Sequence, residues 1–258
     1  MSTTHEAALD LARAIAGELM REPGALAVWL AGSHARGDAG PYSDLDLGVI
    51  ADGEGRGPGY RLSRRDGVLV SVSWGYAERT RASFDDPAVL GAAVPGWRNA
   101  VILADPDGIA NALRGVAANW RWTDAREAIC NDWVAEQITG YAEEVQKLLN
   151  ARARGWPATE AVQRSVLALR LPWIMSVHHR LLYDSENGLW AAVAGTIGEP
   201  WASTQACALG TTNEDFEAQT RAALRLYVLA AGAVRRLLDD RQRAVVDPAI
   251  EAAMGLLE

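Results

Sequence analysis

Cysteine is scarce in this chain: of 258 residues only Cys130 and Cys207 carry thiols, and both fall in helix-like stretches far apart in sequence. That spacing favours two buried thiols over a disulfide or a metal site. Basic residues are also in the minority, 25 Lys and Arg against 33 Asp and Glu, for a formal net charge of −8. A general grip on nucleic acid needs a basic face, so such a partner is not expected. No apolar run is long enough to span a bilayer, and the N-terminus lacks the basic start and apolar centre of a signal peptide, so the expectation is a cytoplasmic protein. Phenylalanine is nearly missing, two residues against ten tryptophans. That balance suits a cleft that stacks on sugar or base rings. Trp74 is expected to line it, while Trp133, Trp173 and Trp190 fit helical cores. Internal repeats are absent too.

What is present divides the chain in two. The opening segment, with a capping box at Thr3 and Glu6, has apolar residues at helical spacing and stops at Pro23-Gly24. Ala25–Ala31 reads as a buried strand, Asp44–Ile50 as a second, Gly67–Trp74 as a third with alternating apolar positions, and Ala100–Gly108 as a fourth ended by turn chemistry. The Gly- and charge-rich stretch between the second and third strands reads as a mobile loop or hairpin connection. After about residue 118 the pattern becomes helical. One long helix is capped by Thr123 and stopped by Gly155, a second is expected to kink at Pro172, and a third spans about 213–242. The fold class expected is α+β: an N-terminal α/β domain with a small mixed sheet, residues 1–118, followed by a C-terminal helical bundle domain, residues 119–258.

The chemistry concentrates between Leu30 and Ile50. Asp44 and Asp46 stand one residue apart at the head of a strand, so their side chains share a face. Two carboxylates that close repel unless a cation lies between them, so either the pair is solvated at the strand end or it was built for a metal. The first reading leaves the preceding Gly32-Ser33 turn unexplained. There, free backbone N–H groups and the serine hydroxyl can hold an anion, and Gly37 and Gly40 let the chain turn back to bring the aspartates opposite it. Phosphate donors facing a carboxylate pair suit a magnesium-bound nucleoside triphosphate and a metal-assisted phosphoryl or nucleotidyl transfer. Arg36 reads equally as a phosphate contact or a surface charge. His178 and His179, adjacent on a helix, point about 100° apart and have no further ligand at metal spacing. One is expected to pack and the other to face solvent.

The run Gly32-Ser33 followed by Ser43-Asp44-Leu45-Asp46 resembles the signature of the DNA polymerase β-like nucleotidyltransferase superfamily. With Arg36 and Gly40-Pro41-Tyr42 at matching spacing, it is most similar to the kanamycin nucleotidyltransferases, and Val134–Glu144 and Ser176–Asp184 resemble segments of their helical domain. The resemblance implies transfer of AMP or a related nucleotide from a triphosphate to a hydroxyl of a small, aminoglycoside-like antibiotic, with Mg2+ ions and a site shared across a homodimer. It assigns Gly32, Ser33, Arg36 and Ser43 to the nucleotide, and Asp44 and Asp46 to the metals and to catalysis. The family's third metal-binding carboxylate falls at Ser71, with Ser73 two residues on, and its general base falls at Gly140. Asp66, about 17 Å from Ser71 along an extended strand, is too far to substitute. Glu136, Glu143 and Glu144 lie within about one turn of Gly140, and Glu136, on the same i, i+4 face, is the first choice as base. These departures leave two outcomes open: a working transferase, or a nucleotide-binding relative with weakened or lost catalysis.

Overall fold

The structure, a computed structural model, describes residues 2–53 and 59–257, with side chains from residue 5 onward, so the Thr3 side chain of the expected capping box lies outside the described residues. The chain divides into two compact units, Met1–Arg121 and Trp122–Glu258.

The first unit contains α1 (Ser2–Leu19), β1 (Ala25–Ala31), α2 (Gly32–Arg36), β2 (Leu45–Ala51), β3 (Tyr60–Arg65), β4 (Val68–Gly75), α3 (Ala77–Ser83), α4 (Leu90–Arg98), β5 (Val101–Ala104) and α5 (Ile109–Asn119). The five strands form one mixed sheet in the order β3-β4-β2-β1-β5, in which only the β2–β4 pair is parallel. Strand alternation separates its two faces. Val28 and Leu30 of β1, Leu45, Leu47 and Val49 of β2, and Val70 and Val72 of β4 form a buried cluster with Ala8, Ala12, Ile15, Ala16 and Leu19 of α1. Those α1 residues recur at helical spacing, so one stripe of the helix covers one face of the sheet. The opposite face carries Asp46.

The stretch expected as loop or hairpin connection contains β3, a full edge strand. It pairs with β4 from Tyr60↔Ser73 to Arg65↔Val68. Asp66 and Gly67 close the hairpin with φ of 49° and 80°, the two left-handed residues that a tight hairpin turn requires and that an Asp-Gly pair supplies. Ion pairs from Arg61 to Glu22, 2.9 Å, and from Arg65 to Glu18 tie the strand to α1. Trp74 also departs from expectation. It pairs with Val49 and packs against the α1-side core, because its odd offset from Ser71 turns it to the other face.

The second unit contains α6 (Asp124–Ala153), α7 (Pro157–His178), α8 (Leu189–Ile197), α9 (Trp201–Ala208), α10 (Phe216–Val234) and α11 (Asp240–Leu257). Thr123 caps α6 by accepting from Arg126 N–H, and Gly155 follows its end in the left-handed region, φ 64°. Pro172 lies inside α7 without ending it, and the expected third helix resolves into α10 and α11. Trp133 and Trp173 meet edge to face at 4.9 Å, and the buried Tyr227 hydroxyl donates to the Ile138 carbonyl at 3.2 Å. His178 and His179 are both half-buried, their rings 5.0 Å apart. Burial, first of all, takes the His178 imidazole down to about 4. Among the described residues no helix is long and apolar enough to cross a membrane.

Candidate active site

Asp46 occupies the second position of β2, where it pairs across the sheet with Ala31 of β1 and Ser71 of β4. Paired residues share a face, so Ser71 lies beside the carboxylate, and its hydroxyl donates to Asp46 Oδ1 at 2.8 Å. On the other side the chain leaves β1 through Gly32, whose φ is 66°. A Cβ at Gly32 would collide with Asp46 Oδ2. Glycine is therefore required twice here, for the left-handed backbone and for the contact with the carboxylate. From that point α2 begins, so Ser33 opens a helical turn directly over Asp46.

Burial is the largest cause of a raised Asp46 carboxyl pKa. The charge of Asp44 pushes in the same direction, while the Ser71 hydrogen bond and the charges of Arg36 and His34 oppose it. Asp44 is half-buried just before β2. Ser43 braces the approach, its hydroxyl accepting from Gly40 N–H at 2.9 Å while its own N–H donates to the Gly40 carbonyl at 3.1 Å. Arg36 ends α2 with a side chain 17% exposed, its guanidinium forked onto Asp38 at 3.1 and 3.2 Å. Gly32, Ser33, Arg36, Ser43, Asp44 and Asp46 therefore stand around one corner of the sheet, with Ser71 as their neighbour.

Among the described residues no three His, Cys, Asp or Glu side chains gather as a metal cluster. Two hard oxygen donors fit a magnesium ion that would take its other ligands from phosphate and water, and a cation there would offset both the burial of the Asp46 charge and its repulsion from Asp44.

Glu136 belongs to the second unit, exposed on α6 with Gly140 also exposed one turn on. Glu143 and Glu144 share Lys147, at 3.1 and 2.9 Å.

Three features of this corner escape a motif-level reading. His34 is half-buried, stacks on His5 with ring centres 6.3 Å apart, and keeps a buried Nδ1 without a hydrogen-bond partner among the described residues. Burial and the charge of His5 lower its pKa, against Ser43, Asp44 and Asp46. Trp29 lies over Gly48, where any Cβ would collide with its ring, and packs on Trp97 of α4 at 4.5 Å. Tyr60 and Leu62 share the Asp46 face through their pairing with Ser73 and Ser71. The available signal for the last two was the Asp-Gly turn, which sets the register of β3.

Residues 13–83 match the family model of the nucleotidyltransferase domain. The matched segment includes Gly32, Ser33, Asp44, Asp46 and Ser71, and it supports nucleotidyl transfer as the general activity. A nucleotidyltransferase-like protein from Exiguobacterium sibiricum 255-15 is among the solved structures that resemble the chain, at 14% identity and a TM-score of 0.48, covering 96% of this chain and 78% of that one. No curated protein matches.

Proposed function

We propose that the chain transfers a nucleoside monophosphate, AMP from ATP, to a hydroxyl of a small molecule. The observation that carries this reading is the contact of Gly32 with Asp46, which joins the anion-binding turn to the carboxylates within the segment matching the nucleotidyltransferase domain. The Gly32-Ser33 turn offers N–H groups and a hydroxyl to the triphosphate, Ser43 keeps the Gly40–Ser43 turn closed beside it, and Arg36 supports phosphate after exchanging Asp38 for a phosphate oxygen. Asp44 and Asp46 hold magnesium. When bound, the metal neutralises phosphate charge and lowers the pKa of a coordinated hydroxyl. The acceptor oxygen attacks the α-phosphorus, the bond from that phosphorus to the β-phosphate bridging oxygen breaks, and pyrophosphate leaves. The hydroxyl proton passes to Glu136, favoured over Glu143 and Glu144 because those two already share Lys147. A homodimer, implied by the family resemblance, belongs to the same reading.

A second reading, nucleotide binding with weak or lost turnover, is favoured by one observation: the side chain in register with Asp46 on β4 is a serine that donates to the carboxylate rather than a third anion. Both readings require Asp44 and Asp46 for the metal. Magnesium with ATP should raise the melting temperature of the parent and leave Asp44→Asn/Asp46→Asn unmoved, since a ligand stabilises only the state that binds it. Equal stabilisation of both proteins would overturn the metal assignment. Pyrophosphate release then separates the readings, and its loss in Glu136→Gln without loss of triphosphate binding would identify the base.

A further inference from the structure

The sheet face around Asp46 is built in rows. Ala31, Asp46, Ser71 and Leu62 form one, and Trp29, Gly48, Ser73 and Tyr60 form the next. The strand spacing puts Leu62 about 10 Å across the sheet from Asp46 and Tyr60 one row further along, about 7 Å. At the β1 end the face is walled by Trp29 and Trp97. At the β3 end it is open: Ser73 is exposed, Leu62 is 53% exposed and Tyr60 61%. The Trp29 ring lies on Gly48, which is buried, so the open part of this row begins at Ser73.

The charges on this surface are as informative as its shape. Beyond Asp46 the paired rows of β2, β4 and β3 carry two serines, a glycine, a leucine and a tyrosine, and the next row holds Arg64 opposite Leu69. An aminoglycoside brings several ammonium groups. Once Asp44 and Asp46 face a magnesium ion, the described residues of these paired rows offer it no further anion and one guanidinium, that of Arg64. Leu62 and Tyr60 instead offer an apolar side chain and a ring to stack on, and both lose water-exposed area when an apolar body covers them.

We propose that the acceptor is an uncharged, hydroxyl-bearing molecule with an apolar or aromatic body, its reacting hydroxyl at Asp46 and its body lying past buried Ser71, across Ser73, onto Leu62 and Tyr60. This rests on the nucleotidyl-transfer reading only in naming the occupant an acceptor. The exposed Ser73 hydroxyl meets the polar edge of the molecule, buried Ser71 stays on Asp46, and the β3 edge meets the apolar end.

Calorimetric titration of the full chain with phenyl β-D-glucoside, and separately with kanamycin as polycation, tests the assignment. The aryl glucoside should bind about tenfold more tightly than the aminoglycoside, and Tyr60→Ser/Leu62→Ser should weaken its binding about tenfold. Leu62→Asp, which adds an anion on an exposed edge, should shift preference toward the polycation while the protein keeps its parental melting curve. Tighter binding of kanamycin, no binding of the aryl glucoside, or unchanged binding in the double variant would overturn the proposal. The magnesium–ATP thermal shift reads the carboxylates separately. A parent that binds the aryl glucoside yet gains nothing from magnesium and ATP removes the transfer reading and leaves the apolar subsite standing.

Discussion

The two faces of the same three strands have been put to opposite uses. Along β2, Leu45, Leu47 and Val49 turn to α1 and are buried, while Asp46 and Gly48 turn the other way; along β4, Val70 and Val72 alternate with Ser71 and Ser73. One face has apolar groups packed against a helix, where each methylene removed leaves a void. The other holds a half-buried carboxylate whose pKa is raised by burial and by Asp44, against the Ser71 hydrogen bond and the charges of Arg36 and His34. That face costs stability and is kept beside exposed Leu62 and Tyr60. Stability and chemistry are thus separated by one residue of register, and substitutions at neighbouring positions should behave as if they belonged to different proteins.

The sharpest break of this contrast is Leu47→Ala beside Asp46→Asn. Leu47 is 2% exposed in the α1 cluster, and its truncation should cost about 2–4 kcal/mol of folding stability. Asp46→Asn removes a buried charge while keeping shape, and should leave the melting temperature of the metal-free protein level or higher. Chemical denaturation of the two variants checks the pair, and a larger loss in Asp46→Asn would mean that the carboxylate holds the fold rather than a ligand.

Gly32→Ala comes next, because it strikes both uses together. The left-handed backbone and the collision with Asp46 Oδ2 should cost about 2 kcal/mol, and the displaced carboxylate should abolish the magnesium-dependent thermal shift. Gly37 also has a positive φ, 82°, but a Cβ there meets no atom within 4 Å. Gly37→Ala should therefore weaken folding alone and keep the shift, which separates backbone strain from damage to the site.

The sequence made one face easier to read than the other. Apolar alternation marked β1, β2 and β4, and the Gly-Ser turn and paired aspartates marked the corner, because those signals lie within a few residues of one another. β3 carried no such signal: Tyr60-Arg61-Leu62-Ser63-Arg64-Arg65 is charged and exposed, and it is a strand because β4 pairs with it and because Glu18 and Glu22 of α1 meet Arg61 and Arg65. The two ion pairs span 39 and 47 residues of sequence and leave no local periodicity. Trp74 shows a related limit: aromatic character suggests a cleft, but register decides the face. Motif spacing sets Ser71 at the position of the family's third carboxylate, but its hydrogen bond to Asp46 follows only from the pairing of β2 with β4.

The smallest expected effect on folding, and the most informative about chemistry, belongs to Ser71→Asp. The hydroxyl at 71 now donates to Asp46 Oδ1. A carboxylate there exchanges a donor for an anion in register with one already destabilised by burial, so the metal-free protein should lose about 1 kcal/mol by like-charge repulsion. Magnesium should reverse that loss, since three carboxylates hold a hard cation more firmly than two. The variant should therefore melt below the parent in chelator and show the larger rise with magnesium and ATP. If a missing third ligand limits the native site, pyrophosphate release with a hydroxyl acceptor should exceed the parent's, with Asp44→Asn as background. A parent that turns over briskly and a Ser71→Asp variant that does not would reverse the assignment. Ser71 would then serve by keeping its hydroxyl between Asp46 and the acceptor, and the serine-bearing face would be the working site rather than the remnant of a three-carboxylate one.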